Sequence, residues 1–148
     1  MPEFYYAKGR ISESLGYISK EMEEFESDYS KKTWSDYQSD KKLQKLMDRT
    51  VENILTALIE ICGTILTQEG ISCENYGDVL KRTGELFGFS EDEQGTLAKL
   101  AIQRNRLVHR YLNFRWQVMK FYSDNKTLIQ RLVSLMLERE VKKQEGNT

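Results

Sequence analysis

The sequence predicts an all-α protein, an up-and-down antiparallel bundle of about five helices. Its 148 residues include one proline, at position 2, so this helix breaker is absent from the rest of the chain. Apolar residues recur at three- and four-residue spacing in several long segments, and no segment alternates as a strand would. Short links favour helices that fold back on their neighbours. The length suits one domain, residues 1–148.

The first predicted helix runs from about Phe4 to Glu26. Its apolar positions follow a 4-3-4-3 spacing that places them on one face; they are Ile11, Leu15, Ile18, Met22 and Phe25. The following segment, 27–40, is polar and aromatic and is predicted to be a connection.

A second, long helix is predicted to start after Asp40, a good N-cap, and to stop before Gly70. Its apolar stripe comprises Leu43, Met47, Val51, Ile54, Leu58, Ile61 and Ile65. No apolar run approaches the roughly 20 residues of a membrane span, and nothing resembles a signal peptide. We therefore expect a cytoplasmic protein with no membrane partner.

A third helix is predicted over about Tyr76 to Phe87, ending at Gly88. Ser90 and Glu93 form a capping-box pattern, so a fourth helix should begin near Glu91. The spacing of apolar residues predicts that this fourth helix continues through Tyr111. Its apolar stripe comprises Leu97, Leu100, Ala101, Leu107, Val108 and Tyr111.

The last helix is expected to follow Asp124 or Asn125. Its apolar face comprises Leu128, Leu132, Leu135 and Met136. The tail, 142–148, is predicted to be frayed.

The charge of the chain is unevenly distributed. The window 94–123 contains six basic residues and no acidic one, whereas the whole chain has a net charge of −1. The six are Lys99, Arg104, Arg106, Arg110, Arg115 and Lys120. Such a window is typical of a surface that binds an anion or a nucleic acid. Alternatively, it pairs with acidic neighbours such as those in 21–28.

The fourth helix has one unusual position in its apolar stripe. Arg104 stands where Leu would be expected, and a buried Arg is costly unless it is paired or lines a wet cleft. One interpretation is an ion pair with Glu52 or Glu60 on the second helix; the other is an anion site. Cys62 and Cys73 lack metal-site spacing and are expected to be reduced thiols.

Helical geometry predicts which neighbours share the face of Arg104. At about 100° per residue, Asn105, His109 and Tyr111 fall with Arg104 on roughly half of the circumference. On such a helix, Asn105 and His109 are i,i+4 neighbours and can touch directly. Two further basic residues point the other way; they are Arg106 and Arg110.

The segment 104–111, Arg-Asn-Arg-Leu-Val-His-Arg-Tyr, resembles the signature of the HepT-like branch of the HEPN superfamily. Residues 49–60 and 68–70 resemble the long helix of that family. The resemblance covers about residues 40–140. The first helix resembles the family only in being an amphipathic helix, not in its residues.

This resemblance implies a helical bundle that dimerises with two copies of the motif facing one cleft. It also implies a metal-independent endoribonuclease toxin without a cofactor, encoded beside a nucleotidyltransferase-fold antitoxin. That antitoxin can transfer AMP to the motif tyrosine, which is Tyr111 by position.

The chemistry of RNA cleavage fits these residue types. His109 can accept or donate a proton near neutral pH, and Arg104 offers a permanently charged fork for phosphate oxygens. Asn105 could orient the imidazole or bind phosphate, and Tyr111 could hold phosphate or contact a base. Arg106 and Arg110 are additional candidates for phosphate binding.

Two other interpretations remain open at this point. The chain could be a non-catalytic subunit that binds a nucleotide or the substrate of a minimal nucleotidyltransferase. It could instead be a purely structural helical dimer in which Arg104 is buried in an ion pair.

Overall fold

Six α-helices form the part of the chain that the structure, a computed structural model, describes, residues 10–146. They are α1 (Ile11–Asp28), α2 (Trp34–Ser39), α3 (Lys41–Gln68), α4 (Tyr76–Leu86), α5 (Glu91–Arg106) and α6 (Leu112–Gly146). No strand occurs within these residues, so the prediction of an all-α bundle is confirmed. The predicted start of the first helix at Phe4 lies outside the described residues.

Helix α3 is the centre of the bundle, and each of the other five helices packs against it. Its predicted stripe is buried, apart from Leu43, which is partly buried against the core. The side chain of Asp40 accepts the backbone N–H of Leu43 at 3.1 Å. The helix ends before Gly70, whose φ of +70° suits glycine. Both predicted ends of this helix are confirmed.

Helix α3 is long and apolar enough to resemble a membrane-spanning helix. An 18-residue window has a mean hydropathy of 1.3, so length and composition alone would allow α3 to cross a membrane. The expectation that no segment qualifies is therefore wrong. In the fold, 67% of that window is buried among the other helices. The central position of α3 accounts for its apolar character.

Helix α1 packs on α3 and α6 through the predicted stripe. All five of its predicted apolar positions are buried. The segment after it differs from the prediction, because a short helix, α2, interrupts the expected connection 27–40. Thr33 and Asp36 form a capping box at its start, and Tyr37 is fully buried. Six residues are too few for helical periodicity to appear in a sequence.

Helices α4 and α5 form a closely packed pair whose ends agree with the prediction. Helix α4 starts at Tyr76 and is followed by Gly88, with a φ of +82°. In the capping box of α5, the N–H of Ser90 donates to Glu93 at 2.9 Å, and the N–H of Glu93 donates to the Ser90 hydroxyl at 3.2 Å.

The boundary between α5 and α6 is the main departure from the predicted fold. Helix α5 ends at Arg106, five residues short of the predicted Tyr111, and α6 begins at Leu112 instead of after Asp124. The N–H of Leu107 donates to the carbonyl of Arg104, which tightens the last turn of α5. Leu107 is buried, so tertiary packing makes this turn without the Gly or Pro that would mark it in the sequence.

Asn125 does not cap a helix, because it lies inside α6. Its side-chain amide donates to the carbonyl of Phe121, four residues earlier, at 2.8 Å. This backward hydrogen bond satisfies the amide in mid-helix. Helix α6 reaches Gly146, into the segment expected to be frayed, and residues 147–148 lie outside the described part of the chain.

The contact between α4 and α5 is close at Gly84. A Cβ there would lie 2.8 Å from Cδ1 of Leu97 and 3.3 Å from Cγ of Gln94. Leu97 is fully buried, so its methyl group has no solvent to move into. Around Gly95 of α5, by contrast, a Cβ would meet nothing within 4 Å.

We therefore expect Gly84→Ala to lower the free energy of unfolding by about 1 kcal/mol, because overpacking exceeds the gain in helix propensity. The matched variant Gly95→Ala should raise it by about 0.5–1 kcal/mol. Urea unfolding followed by circular dichroism measures both. A Gly84→Ala protein as stable as the parent would contradict the close contact.

Candidate functional site

The basic segment 104–111 spans a helix end and a turn. Arg104 and Asn105 lie in the last turn of α5, whereas His109 and Tyr111 lie between α5 and α6. The predicted single helical face is therefore wrong. The i,i+4 geometry is lost because the helix ends at Arg106.

Arg104 is half-buried and held by two neighbouring helices. Its Nε donates to the hydroxyl of Thr56 on α3 at 2.9 Å. Its guanidinium carbon lies 5.8 Å from the ring centre of Tyr76, the first residue of α4. This cation–π distance and the hydrogen bond fix the arginine from two sides.

The expected alternative partners of Arg104 do not bind it directly. Within residues 10–146, no ion pair joins Arg104 to Glu52 or Glu60. Burial raises the pKa of Glu60, and the positive charge of Arg104 opposes that rise. The interpretation of Arg104 as a member of a buried ion pair is therefore wrong. Its Nη groups make no hydrogen bond in the described part of the chain, so their N–H groups are available to donate to an anion.

His109 and Tyr111 share one aromatic neighbour. The ring centres of His109 and Phe114 lie 5.5 Å apart, nearly perpendicular, and those of Tyr111 and Phe114 lie 5.6 Å apart. Tyr111 is 56% exposed and Val108 is 85% exposed, although both were predicted on the apolar stripe of the helix. The turn therefore presents an imidazole and a phenol to solvent beside an apolar surface.

The other motif residues lie at the edges of this region. Asn105 is exposed and lines a groove between α4 and α5. Arg106 donates to the side-chain carbonyl of Gln117 at 3.2 Å, and Arg110 is exposed. No hydrogen bond or ring contact among residues 10–146 joins Arg104 to His109. The structure thus brings the candidate residues into two groups, one around Arg104 and one around Phe114.

The basic window retains most of its charge in the folded chain. Among its six cations, Arg115 alone forms an ion pair within the described residues, and its partner is Asp48. The expected pairing with 21–28 is not formed by the window, since Glu26 pairs with Lys126, which lies outside it. The other five cations of the window therefore keep their positive charge without an ion-pair partner in the described part of the chain.

A buried polar network below the turn was not predicted from the sequence. Nη1 of Arg115 lies 2.7 Å from Oδ2 of Asp48, and the hydroxyl of Tyr37 donates to Oδ1 of Asp48 at 2.6 Å. Arg115 lies in the first turn of α6, so the network ties the start of α6 to α3. Burial raises the pKa of Asp48, while the hydrogen bonds from Tyr37 and Arg115 lower it. Burial, and then the hydrogen bond to Asp48, raise the pKa of Tyr37.

The cysteines offer no second reactive site. Cys62 and Cys73 are both buried and unpaired, as predicted for reduced thiols. Burial raises the pKa of Cys62 to about 12, which leaves the thiol protonated and a poor nucleophile. In the region from residue 10 to residue 146, no group of three or more His, Cys, Asp or Glu could hold a metal ion.

The chain matches a known protein family. The sequence model of the family described as Ribonuclease HepT-like matches residues 18–119, more than half of the chain and all of the segment 104–111. The match begins within α1, earlier than residue 40, where the resemblance in the sequence was placed. No curated protein matches the chain at the threshold applied.

The Arg115–Asp48 pair generates a stability prediction with a defined pH dependence. Their side chains are 18% and 13% exposed, so Arg115→Met would leave the Asp48 carboxylate nearly buried without its cation. We expect a loss of about 3 kcal/mol in the free energy of unfolding at pH 7. Arg110→Met, which removes an exposed arginine, is the control and should change stability by less than about 0.5 kcal/mol.

The loss should shrink in acid. Without Arg115, the folded-state pKa of Asp48 should rise further above the unfolded value of about 3.9. The folded variant then binds the proton more strongly than the folded parent does. The loss in the free energy of unfolding is therefore full above the pKa of Asp48 in the folded variant, and it diminishes as the pH falls below that pKa. Guanidinium unfolding between pH 7 and pH 4 measures this. A deficit independent of pH would contradict the role of Asp48.

Proposed function

The chain belongs to the HepT-like ribonuclease family, and from that premise we propose that it is a metal-independent endoribonuclease acting as the toxin of a toxin–antitoxin pair. The observation that carries the proposal is the complete motif inside the matched region. Arg104 is anchored without a carboxylate partner, and His109 is exposed on the adjoining turn. A fixed cation and an accessible imidazole suit phosphodiester chemistry.

The proposed reaction is transesterification within the RNA. The 2′-oxygen attacks the adjacent phosphorus and loses its proton, and the bond from phosphorus to the 5′-oxygen breaks. The leaving 5′-oxygen takes up a proton, so the products are a 2′,3′-cyclic phosphate and a 5′-hydroxyl. His109 serves as base or acid, and Arg104 binds the phosphate oxygens whose charge increases during attack.

We propose a homodimer because one chain supplies too few groups. A single His109 cannot easily donate and accept protons in the same turnover, and no hydrogen bond or ring contact joins it to Arg104 within the described part of one chain. Two copies facing one cleft would supply two histidines and double the positive charge near the RNA. The exposed apolar side chains of Val108 and Phe114 would be buried in such a dimer.

The proposed partner is an antitoxin with a nucleotidyltransferase fold that transfers AMP to Tyr111. The exposure of this side chain supports the proposal, since a modifying enzyme must reach the hydroxyl. AMP would add bulk and negative charge beside His109, which would repel RNA phosphates. We propose that both proteins act in the cytoplasm, where RNA is available.

A non-catalytic subunit that binds nucleotides is the second candidate. One observation favours it: the ring nitrogens of His109 make no hydrogen bond in the described part of the chain, whereas catalytic imidazoles are usually oriented by a partner. Nucleotide binding without any RNA turnover would support this alternative.

We expect the wild-type protein to cleave total RNA in the presence of EDTA and to leave cyclic phosphate ends. His109→Ala should lower the rate by about 10²–10⁴-fold, because it removes proton transfer. Arg104→Ala should lower it by about 10²–10³-fold, because it removes charge stabilisation. Gel analysis of end-labelled RNA measures both rates.

The control for these variants is Lys142→Ala, which removes an exposed positive charge outside the basic window and should retain the activity. Intact mass is measured first, because AMP on Tyr111 would suppress cleavage. Unmodified protein that cleaves no RNA, or equal cleavage by wild type and both motif variants, would contradict the proposal.

Mixing of chains tests the shared cleft. If catalysis takes one histidine from each chain, a mixed dimer of wild type and His109→Ala is inactive. An excess of His109→Ala should therefore lower the activity per wild-type chain, whereas an excess of Lys142→Ala should not. Native mass spectrometry verifies that mixed dimers form. Activity that follows the wild-type concentration alone would refute a shared site.

A further inference from the structure

A groove between α4 and α5 adjoins Arg104 and has no role in the function proposed above. It encloses about 540 Å³ and is open to solvent. Tyr76 forms its wall nearest the motif, Asn105 lies in its lining, and Lys81 lies one helical turn further along α4. Since Tyr76 also contacts Arg104, the groove is continuous with the proposed phosphate site.

Small residues on both helices give the groove its depth. Gly77 of α4 and Ala98 and Ala101 of α5 line it. A Cβ on Gly77 would lie 3.3 Å from the Asn75 side-chain oxygen and 3.6 Å from the carbonyl of Ala98, so the helices approach closely here. Larger side chains at these positions would fill the space.

The polar groups of the groove do not suit a phosphate. At the N-terminus of α4, the N–H of Asp78 already donates to the side chain of Asn75 at 2.8 Å. The Asp78 carboxylate is itself paired with Arg82 at 3.2 Å. The side-chain oxygens of Glu74 and Asn105 also line the groove, make no hydrogen bond in the described part of the chain, and can accept hydrogen bonds from the amino groups of an uncharged ligand.

The wall of the groove suits a flat ring. Tyr76 is 40% exposed, although it is aromatic and contacts a cation. Exposed aromatic side chains beside basic groups are the usual platforms for unpaired bases of single-stranded nucleic acids. A base stacked on Tyr76 would belong to a nucleotide adjoining the phosphate at Arg104.

We propose that this groove is a nucleobase subsite, in which one unpaired base of single-stranded RNA stacks on Tyr76 beside the phosphate held by Arg104. The proposal rests on the proposed function for the identity of the ligand. The groove would make the protein select unpaired RNA, because a base inside a duplex cannot enter it.

The test measures binding of a short single-stranded RNA whose riboses are 2′-O-methylated, so that no 2′-hydroxyl can attack. Fluorescence anisotropy gives Kd for the wild type and for Tyr76→Ala, which removes the platform, and Ala98→Leu, which fills the groove without removing the Tyr76 contact to Arg104. We expect Kd to rise about tenfold or more in both variants.

Two matched variants control this measurement. Tyr76→Phe keeps the ring and should bind within about twofold of the wild type. Tyr17→Ala removes a tyrosine of similar exposure, 45%, from α1, which packs on α3 and α6, and should bind equally well. Circular dichroism identifies any variant that fails to fold; the other groove variant then decides the result.

Cleavage of RNA by the wild type, measured in parallel, separates the two proposals. If the wild type cleaves RNA but neither groove variant weakens probe binding, the subsite is overturned and the ribonuclease stands. If the wild type cleaves nothing but both variants weaken binding, the groove is a base-binding site and the ribonuclease proposal fails. A rise in Kd equal to that of Tyr17→Ala would also overturn the subsite.

Discussion

The packing of α3 against all five other helices is the constraint on which the rest of the structure depends. Its apolar positions pack against all the other helices, and each fully buried aliphatic side chain contributes about 1.5–3 kcal/mol. Polar side chains recur every four residues along one side of α3; they are Asp48, Glu52, Thr56 and Glu60. Within this polar stripe, Asp48 binds Arg115 and Thr56 binds Arg104. One helix thus supports the core and also positions the arginines on either side of the turn.

Periodic burial and helix caps could be predicted from the sequence, because both are local. The stripe of α1, the two ends of α3 and the capping box of α5 are as expected. The turn at 107–111 could not be predicted, since Val108 and Tyr111 continue a helical pattern that packing overrides. Asn125 illustrates the opposite error: a residue typical of caps is satisfied inside α6. The Asp48–Arg115 pair joins positions 67 apart, and no local pattern predicts such a partner.

The sequence names the residues of the candidate site but does not predict their geometry. These residues stand on two different supports. Arg104 is held by α3 and α4, whereas His109 and Tyr111 lean on Phe114 at the surface. An arrangement of this kind orients the guanidinium of Arg104 through two helices, whereas the imidazole of His109 has an aromatic neighbour on one side only.

The docking of α6 also bears on the order in which the chain acquires its structure. Arg115 and Lys126 reach partners 67 and 100 positions earlier, so these contacts form late during synthesis on the ribosome. The turn between α5 and α6 forms local hydrogen bonds, in which the N–H groups of Leu107 and His109 donate to the carbonyls of Arg104 and Arg106. Its contacts with Phe114, by contrast, require α6. A nascent chain that ends before α6 would therefore lack the aromatic neighbour of His109 and Tyr111, and this region is completed only after α6 has been synthesised.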